Sequence, residues 1–337
     1  MPRAASTFRL LLVLLLGAGG LACDGGSSQA TSDEMVEAVD RYVQGTLRAR
    51  IESIQDAMPR RGSEGFVPPT SGELDRWRTI VDALIAGDTT AVDAQLAEHA
   101  PSYALIRFTE ADTGQLYYLL QETPSVEKGW GAVVVHPAPE RNLAIHAPHP
   151  VFDLDTHREG VDVFQQTGAR VLLLAGTHRC ANQGVSPCDG TSSVCGDGRY
   201  HVSDMAHVVD APFQAAHAVF TERFPEMVAI SLHGNGSEDC ETVFLSNGID
   251  EDVQPALRSL QQALSERGVR VGVPGSSACR LIGSTNVQGR LINGSPQPCT
   301  EAATRATGTF IHVEQRRSFR EDPAAYGRLI DALNDVF

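Results

Sequence analysis

The sequence predicts an α/β protein with a mixed, largely parallel central sheet, helices on both of its faces and an N-terminal helical segment. Short runs rich in β-branched residues alternate with amphipathic helical stretches from residue 142 onwards. Two strand-like runs before them, between residues 103 and 120, flank a turn signal and predict an antiparallel start. The chain has 337 residues, of which 42% are hydrophobic and 20% are charged, and this is the composition of a globular protein with a full core.

Residues 1–22 have the features of a secretory signal peptide of the lipoprotein type. Arg3 and Arg9 precede an apolar run at residues 10–16 that is too short to span a bilayer. The small residues before Cys23 are similar to a bacterial lipoprotein cleavage site and make Cys23 the predicted lipidated residue, with plain secretion as the alternative. We therefore expect an exported protein of the bacterial cell envelope that contacts the membrane only through this lipid.

Residues 23–33 are predicted to be a flexible tether, and residues 34–100 a helical N-terminal segment. The first helix is predicted from apolar residues at helical spacing, which are Met35, Val39, Tyr42, Val43, Leu47, Ile51 and Ile54. Thr70 and Glu73 form a capping box that opens a second helix, and a third short helix follows Gly87.

Residues 101–337 are predicted to form an α/β hydrolase-like catalytic domain. Strands 103–108 and 116–120 are expected to pair as a hairpin, and strand 130–135 is expected to lie beside strand 142–147. Helices and strands then alternate, with helices at 157–167, 210–224, 252–267 and from residue 323, and strands at 170–175, 227–232, 243–245, 269–273 and 309–313.

Six cysteines remain after Cys23, at positions 180, 188, 195, 240, 279 and 299. An even number in an exported chain predicts three disulfides whose pairing the sequence leaves open. The alternative is a cysteine-rich zinc knot at residues 180–195, although that segment contains no Cys-x-x-Cys pair.

Charge and motifs exclude several classes of function. The net charge is −15 and the chain has no basic run, so nucleic acid is not an expected partner. A Gly-x-Ser-x-Gly nucleophile elbow, a phosphate-binding glycine-rich lysine loop and a dinucleotide fingerprint are all absent from the sequence.

Four predicted strand ends carry polar side chains with the chemistry of a metal site, and these are His149, Arg179, His233 and Glu314. Ligands of open α/β sheets bind at the carboxyl ends of strands, so we expect these side chains to lie together. Two imidazoles and one carboxylate, with a fourth position left open, are the ligand pattern of catalytic zinc. Asp153 follows His149 most closely and is the predicted acidic ligand, with Asp155 and Glu159 as alternatives.

The order of these site residues along the chain resembles that of the site residues in the zinc carboxypeptidase and N-formylglutamate amidohydrolase superfamily. The resemblance implies a mixed eight-stranded sheet between helices over roughly residues 100–337. It also implies that zinc binds His149, Asp153 and His233, that Glu314 is the general base, and that Arg179 polarises the carbonyl or holds the substrate.

The sequence departs from the superfamily pattern at two points. The first ligand pair is His-x-x-x-Asp, where the superfamily has His-x-x-Glu. The superfamily's Asn-Arg substrate clamp has no evident copy, and Asn182, Asn286 and Arg290 are the predicted substitutes.

The predicted function is therefore that of an exported zinc-dependent hydrolase of amide or peptide bonds, acting on a small carboxylate-bearing amide or peptide. Water activated by the zinc is expected to attack the carbonyl while Glu314 takes its proton. The alternatives are a non-catalytic surface lipoprotein that binds calcium or a cell-envelope ligand, and an inactive member of the fold.

Structural roles for single residues also stay open at this point. Asp155 is a candidate helix cap, and Glu314 a candidate ion-pair partner of Arg316 or its neighbour. Asp204 and His207 are predicted either to orient a metal-bound histidine or line the pocket, or to form a surface pair.

Overall fold

The computed structural model describes residues 41–123, 126–250 and 252–337. The predicted signal peptide, the tether and the lipidation site Cys23 lie outside the described residues. Within the described part of the chain, no helix is both long and apolar enough to cross a bilayer.

A mixed sheet forms the centre of the molecule, and the predicted fold class is confirmed. Its ten strands in the described residues are β1 (Tyr42–Gly45), β2 (Tyr103–Glu110), β3 (Leu116–Glu122), β4 (Ala132–Val135), β5 (Arg141–Ala147), β6 (Ala169–Leu174), β7 (Val228–Asn235), β8 (Val243–Ser246), β9 (Val271–Gly272) and β10 (Phe310–Arg316). The helices are α1 (Leu47–Ala57), α2 (Ser71–Ile85), α3 (Thr89–His99), α4 (Thr156–Gln166), α5 (Pro212–Arg223), α6 (Pro255–Glu266), α7 (Val287–Ile292), α8 (Arg317–Arg320) and α9 (Pro323–Val336).

The strands are ordered β1-β2-β3-β4-β6-β5-β7-β10-β8-β9. The four central strands β6, β5, β7 and β10 run parallel, whereas β2, β3 and β4 are joined by antiparallel pairing. Because parallel strands end at one edge, the carboxyl ends of the four central strands are neighbours in space. This edge is where the predicted site residues lie.

Two apolar layers, one on each face of the sheet, stabilise the fold. One layer packs α1, α4, α6 and α9 against the sheet, and the other packs α2, α3 and α5. Side chains along β7 alternate between the two layers. Ile230 and Leu232 belong to the first layer, and Ala229 points to the opposite face of the sheet. Helices therefore cover both faces, as the sequence predicted.

The capping box and the hairpin are also confirmed. The Glu73 backbone N–H donates to Thr70 Oγ1 at 3.3 Å, and the Thr70 N–H donates to the Glu73 carboxylate at 2.8 Å. Strands β2 and β3 pair antiparallel, with Leu105 opposite Leu120.

The predicted first helix is wrong over Tyr42–Gly45, which form strand β1. β1 pairs in parallel with β2, placing Val43 opposite Phe108, and the helix starts only at Leu47. Hydrogen bonds to a strand 65 positions further along the chain decide this conformation, and local apolar spacing does not report them.

The expected neighbourhood of β4 and β5 is also wrong. β4 pairs with β3 and β6, and β5 lies between β6 and β7. Helix α4 connects β5 to β6, and β6 runs parallel to β5. β6 therefore lies between β5 and β4 and pairs with both. Over residues 100–337, where the superfamily resemblance implied eight strands, the described part of the chain has the nine strands β2–β10, and β1 adds a tenth to the sheet.

Candidate metal centre and active site

Strands β7 and β10 place a row of polar side chains on one face of the sheet. In their parallel register, Glu314 is the partner of His233 and His312 is the partner of Ser231. Paired residues of neighbouring strands point to the same face, so these four side chains share it. Both strands run further than predicted, and His233 and Glu314 therefore lie within strands.

The loop after β5 brings the next two candidates to the same place. The backbone N–H of Asp153 donates to the His149 carbonyl at 2.7 Å, which folds the loop into a tight turn. In that turn Asp153 Oδ2 lies 3.2 Å from His149 Nδ1. The same oxygen lies 3.4 Å from His233 Nδ1, and all three side chains are buried.

The spacing of these three atoms fits a zinc ion. Zinc bonds of about 2.0–2.2 Å in a tetrahedral arrangement place the ligand atoms roughly 3.3 Å apart. The observed separations from Asp153 Oδ2 are 3.2 Å to His149 Nδ1 and 3.4 Å to His233 Nδ1. Two nitrogens and one carboxylate oxygen thus lie within 4.8 Å of one another and could hold one metal ion.

The charges around this point favour a cation. Burial raises the pKa of Asp153, but hydrogen bonds with His149 and His233 outweigh burial and hold that pKa well below its usual range. Burial lowers the pKa of His233 to about 4, so this imidazole is neutral at neutral pH and one of its two ring nitrogens has a free lone pair. Burial lowers the pKa of His149, but Asp204 and Asp153 outweigh it and raise that pKa, so a metal ion would replace a proton on this ring.

Asp204 holds His149 from behind. Its Oδ1 lies 2.8 Å from His149 Nε2, which leaves Nδ1 to face Asp153. Asp204 Oδ2 accepts a hydrogen bond from Arg179 Nε at 2.9 Å, and Oδ1 lies 3.0 Å from His207 Nδ1. A carboxylate on the second ring nitrogen is the usual partner of a metal-binding histidine, because it fixes the orientation of the ring.

Asp204 and His207 are therefore not a surface pair. Asp204 is 1% exposed, and the ring of His207 stacks on Tyr200 with centroids 3.6 Å apart. Burial raises the pKa of Asp204, but the charges of Arg179 and His207 keep it well below the usual value. The carboxylate is consequently ionised and able to accept from His149.

Glu314 lies beside the three candidate ligands as a buried carboxyl. Its Oε2 has no hydrogen-bond partner among the described residues, and its Oε1 lies 3.8 Å from His312 Nε2, which is too long for a hydrogen bond. Burial, and then the charge of Asp153, raise the pKa of Glu314 well above its usual value. A carboxyl in this state is suited to hold a proton in transit.

The proposed ion pair of Glu314 with a neighbouring arginine is wrong within the described residues. Arg316 donates to the Cys240 carbonyl at 2.6 Å, and Arg317 pairs with Glu321 at 3.1 Å. Neither arginine contacts Glu314 within ion-pair distance.

The two alternatives to Asp153 face elsewhere. Asp155 is the residue before α4, has a left-handed φ of 73° and pairs with Arg158 at 3.2 Å. Glu159 accepts a hydrogen bond from Gln315 Nε2 at 2.9 Å. Because Gln315 follows Glu314 in a strand, its side chain points away from the site face, and Glu159 lies on that opposite side.

The three predicted substrate-binding residues in the later loops make structural contacts. The Asn182 amide donates to the Phe66 carbonyl at 2.9 Å, and Asn286 Oδ1 caps α7 by accepting from two backbone N–H groups. The Arg290 guanidinium bonds to Asp189 and to the backbone carbonyl of Ser284. Substrate binding by these residues stays a prediction.

The six cysteines of the described residues form three disulfides, which confirms the predicted number. The pairs are Cys180–Cys195, Cys188–Cys299 and Cys240–Cys279. The alternative of a zinc knot at residues 180–195 is therefore wrong, because its sulfur atoms are bonded to one another or to Cys299. The first disulfide begins at the residue after Arg179 and fixes the loop that carries it.

Sequence reasoning did not single out His312, although a signal was present. His312 precedes Glu314 by two positions in a strand, and such residues point to the same face. Its ring lies 4.4 Å from that of His233 between centroids. Asp204 offered no comparable signal, since it lies in a loop whose position depends on distant contacts.

Cavities among the described residues lie away from the candidate ligands. A small one of about 150 Å³ is lined by residues that include Arg50, Met58 and Gln121. A larger one of about 630 Å³ is lined by residues that include Arg48 and Asp162. Neither is lined by a histidine, and the chemistry described above lies in the buried cluster instead.

No family model and no curated protein matches this chain. Its structural neighbours are amidohydrolases and metallocarboxypeptidases at low similarity. An N-formylglutamate amidohydrolase from Ralstonia eutropha is 14% identical, with a TM-score of 0.36, over 60% of this chain and 94% of that one. A succinylglutamate desuccinylase from Vibrio parahaemolyticus is 11% identical, with a TM-score of 0.36, over 69% and 76%.

A metallo-carboxypeptidase from Burkholderia cenocepacia is 12% identical, with a TM-score of 0.33, over 74% of this chain and 67% of its own. Scores of this size describe a partial similarity of architecture and carry no information about activity.

Proposed function

We propose that this chain is an exported zinc-dependent hydrolase that cleaves an amide or peptide bond in a small substrate bearing a carboxylate. The convergence of His149 Nδ1 and His233 Nδ1 on Asp153 Oδ2, at 3.2 and 3.4 Å, is the observation that supports it most strongly. Two nitrogens and one oxygen leave a tetrahedral ion one open position, which is the ligand pattern of catalytic zinc.

Zinc held by His149, Asp153 and His233 supplies a Lewis acid that lowers the pKa of water from about 15.7 to near 7. Glu314 is the proposed general base, because its Oε2 is buried beside the ligands and has no hydrogen-bond partner among the described residues. A cation bound next to it would favour the ionised carboxylate that this role requires. Glu314 takes a proton from the attacking water and delivers it to the nitrogen of the leaving amine.

Arg179 is the proposed contact to the substrate. Its Nε and Nη2 are engaged by Asp204, which fixes the plane of the guanidinium. Nη1 has no hydrogen-bond acceptor among the described residues, so its N–H groups could donate to a carbonyl oxygen or to a carboxylate of the substrate. A fixed donor stabilises the negative charge that develops on such an oxygen.

Export is supported by the disulfides, since such bonds persist in oxidising compartments outside the cytosol. Lipid anchoring at Cys23 in the bacterial cell envelope is part of the same proposal.

The competing function is a non-catalytic binding protein that uses calcium. Calcium is bound by six to eight oxygen ligands. The convergence of two imidazole nitrogens on one oxygen favours zinc over calcium. An inactive member of the fold is distinguished from an enzyme by turnover.

The first test is zinc content and hydrolysis in the purified mature protein. We expect about one zinc ion per chain, lost in His233→Ala and retained in Glu314→Gln. Wild-type protein should release free amino acid from some member of a panel of small N-acylated amino acids, and Glu314→Gln should not. His99→Ala is a matched control, because His99 lies on α3 and its ion pair in the described part of the chain is with Glu98.

Wild-type protein without zinc, or His233→Ala with unchanged zinc content, would contradict the proposal. Zinc binding without hydrolysis of any substrate in the panel would favour the inactive alternative.

A further inference from the structure

We infer that Arg320 is a positioning residue of the metal centre and that Gly234 is required because it leaves room for the Arg320 guanidinium, an inference that rests on the proposed function. Arg320 ends the short helix α8, far from the ligands in sequence. It is 7% exposed, so its charged group lies inside the protein.

The guanidinium of Arg320 joins two segments of the candidate site. Its Nε donates to the Leu154 carbonyl at 2.7 Å, and its Nη1 donates to the Gln315 carbonyl at 2.7 Å. Leu154 directly follows Asp153, and Gln315 directly follows Glu314. One side chain therefore fixes the loop of the acidic ligand against the strand of the general base.

Gly234 places a third segment against the same group. A Cβ atom on Gly234 would lie 2.4 Å from Arg320 Cζ and 2.6 and 2.7 Å from its two Nη atoms. The guanidinium thus lies directly on the backbone of the residue that follows His233. The φ of Gly234 is not in the left-handed region, so the absence of a side chain matters here for space.

The contacts of Arg320 are specific to a guanidinium. No carboxylate lies within 4.0 Å of it in the described part of the chain, so backbone carbonyls hold it in place of an ion pair. A planar fork with several fixed donors can bridge two carbonyls, whereas a lysine ammonium on a flexible stem cannot do so from the same position. A buried charge is costly unless it is hydrogen-bonded, so the two carbonyls hold the Arg320 guanidinium in one position.

The test compares metal affinity in single and double variants, by competition of Zn²⁺ between the protein and a chromophoric chelator. Arg320→Ala frees the Leu154 loop, and Gly234→Ala displaces the guanidinium, so each should weaken zinc binding by about 10-fold, the lower end of the range for groups that support metal ligands. Since both changes act through one contact, the double variant should bind zinc no more weakly than Arg320→Ala alone.

Two matched controls come from the same strand ends. Gly236→Ala adds the same methyl group where no atom lies within 4 Å. Arg316→Ala also removes two guanidinium contacts to backbone carbonyls, those of Cys240 and Glu238, but these do not reach the Leu154 loop. Zinc affinity should stay at the wild-type value in both.

The visible absorption of the Co²⁺-loaded protein adds a readout that a general loss of stability does not move. The bands should shift in Arg320→Ala and Gly234→Ala and stay unchanged in the two controls. If Arg320→Ala fails to fold by circular dichroism, Gly234→Ala against Gly236→Ala decides the question alone.

Unchanged zinc affinity in both single variants, or a double variant weakened by the product of the two single effects, would overturn the inference while leaving the proposed function intact. A wild-type protein that binds no zinc would overturn the proposed function itself, and the role of Arg320 with it.

Discussion

Asp153 lies beside His149 in the candidate metal centre because its loop turns within four residues of His149. The turn is closed by the Asp153 N–H on the His149 carbonyl at 2.7 Å, which brings a short acidic side chain back beside the imidazole. Asp155, two residues later, has already left the site and pairs with Arg158. The His-x-x-x-Asp spacing thus places the Asp153 carboxylate next to the His149 imidazole.

A pair of amide variants tests this choice of ligand. Asp153→Asn removes the charge that faces both imidazoles, and we expect zinc affinity to fall by more than the roughly 10- to 100-fold that loss of an outer partner costs. Asp155→Asn should leave the affinity unchanged, because asparagine accepts the left-handed conformation of residue 155 and only an exposed ion pair is lost. Chelator competition measures both, and equal losses in the two variants would contradict the assignment.

Two residues show where prediction at this scale succeeds and where it stops. His149 and His233 could be identified because each ends an apolar run, a feature that the sequence displays directly. Asp204 was a candidate whose role stayed open, since it lies between a disulfide loop and α5 and reaches His149 across 55 positions of chain. Its candidacy depended on residue type alone, which does not distinguish a buried carboxylate from a surface one.

At the scale of elements, most helices and strands could be predicted because their apolar periodicity reflects burial on one face or both. Strand β1 could not, since four residues are too few to show a period and its pairing partner is distant. The order of β4, β5 and β6 also depends on how the connection through α4 crosses the sheet, and the strand sequences do not determine that crossing.

The packing of α4 against β10 contains a buried acid with a measurable consequence for stability. Burial raises the pKa of Glu159 to about 8 from its ordinary value of 4.5, although the hydrogen bond from Gln315 opposes this. The folded protein therefore keeps a proton on Glu159 that the unfolded chain loses above pH 4.5. This contribution to stability is complete below pH 4.5 and is lost as the pH rises towards 8.

Glu159→Gln should remove this pH dependence, because a glutamine carries no proton to lose. In urea unfolding between pH 5 and pH 8, the free energy of unfolding of the wild type should fall relative to the variant by roughly 1 kcal/mol per pH unit. At pH 8 the variant should be the more stable protein. A constant difference between the two proteins across this range would show that Glu159 is already ionised in the folded state.

At the scale of the whole molecule, the cysteines illustrate what a single sequence can and cannot establish. Their even number, in a chain predicted to be exported, was sufficient to predict three disulfides. The pairing was not accessible, because Cys188 and Cys299 are 111 residues apart and only the tertiary fold brings them together. The same long separation gives this disulfide the largest expected effect on the unfolded chain.

Removing one disulfide at a time should order their contributions by loop length. The loops are 15 residues for Cys180–Cys195 and 111 residues for Cys188–Cys299. Loop-closure entropy gives about 3 kcal/mol for a 15-residue loop and nearly 5 kcal/mol for one of about 100 residues. The double variant Cys188→Ser/Cys299→Ser should therefore lower the free energy of urea unfolding at pH 7 by about 1–2 kcal/mol more than Cys180→Ser/Cys195→Ser. The reverse order would mean that contacts of the loop beside Arg179 in the folded state, and not the entropy of the unfolded chain, set the stability that these bonds provide.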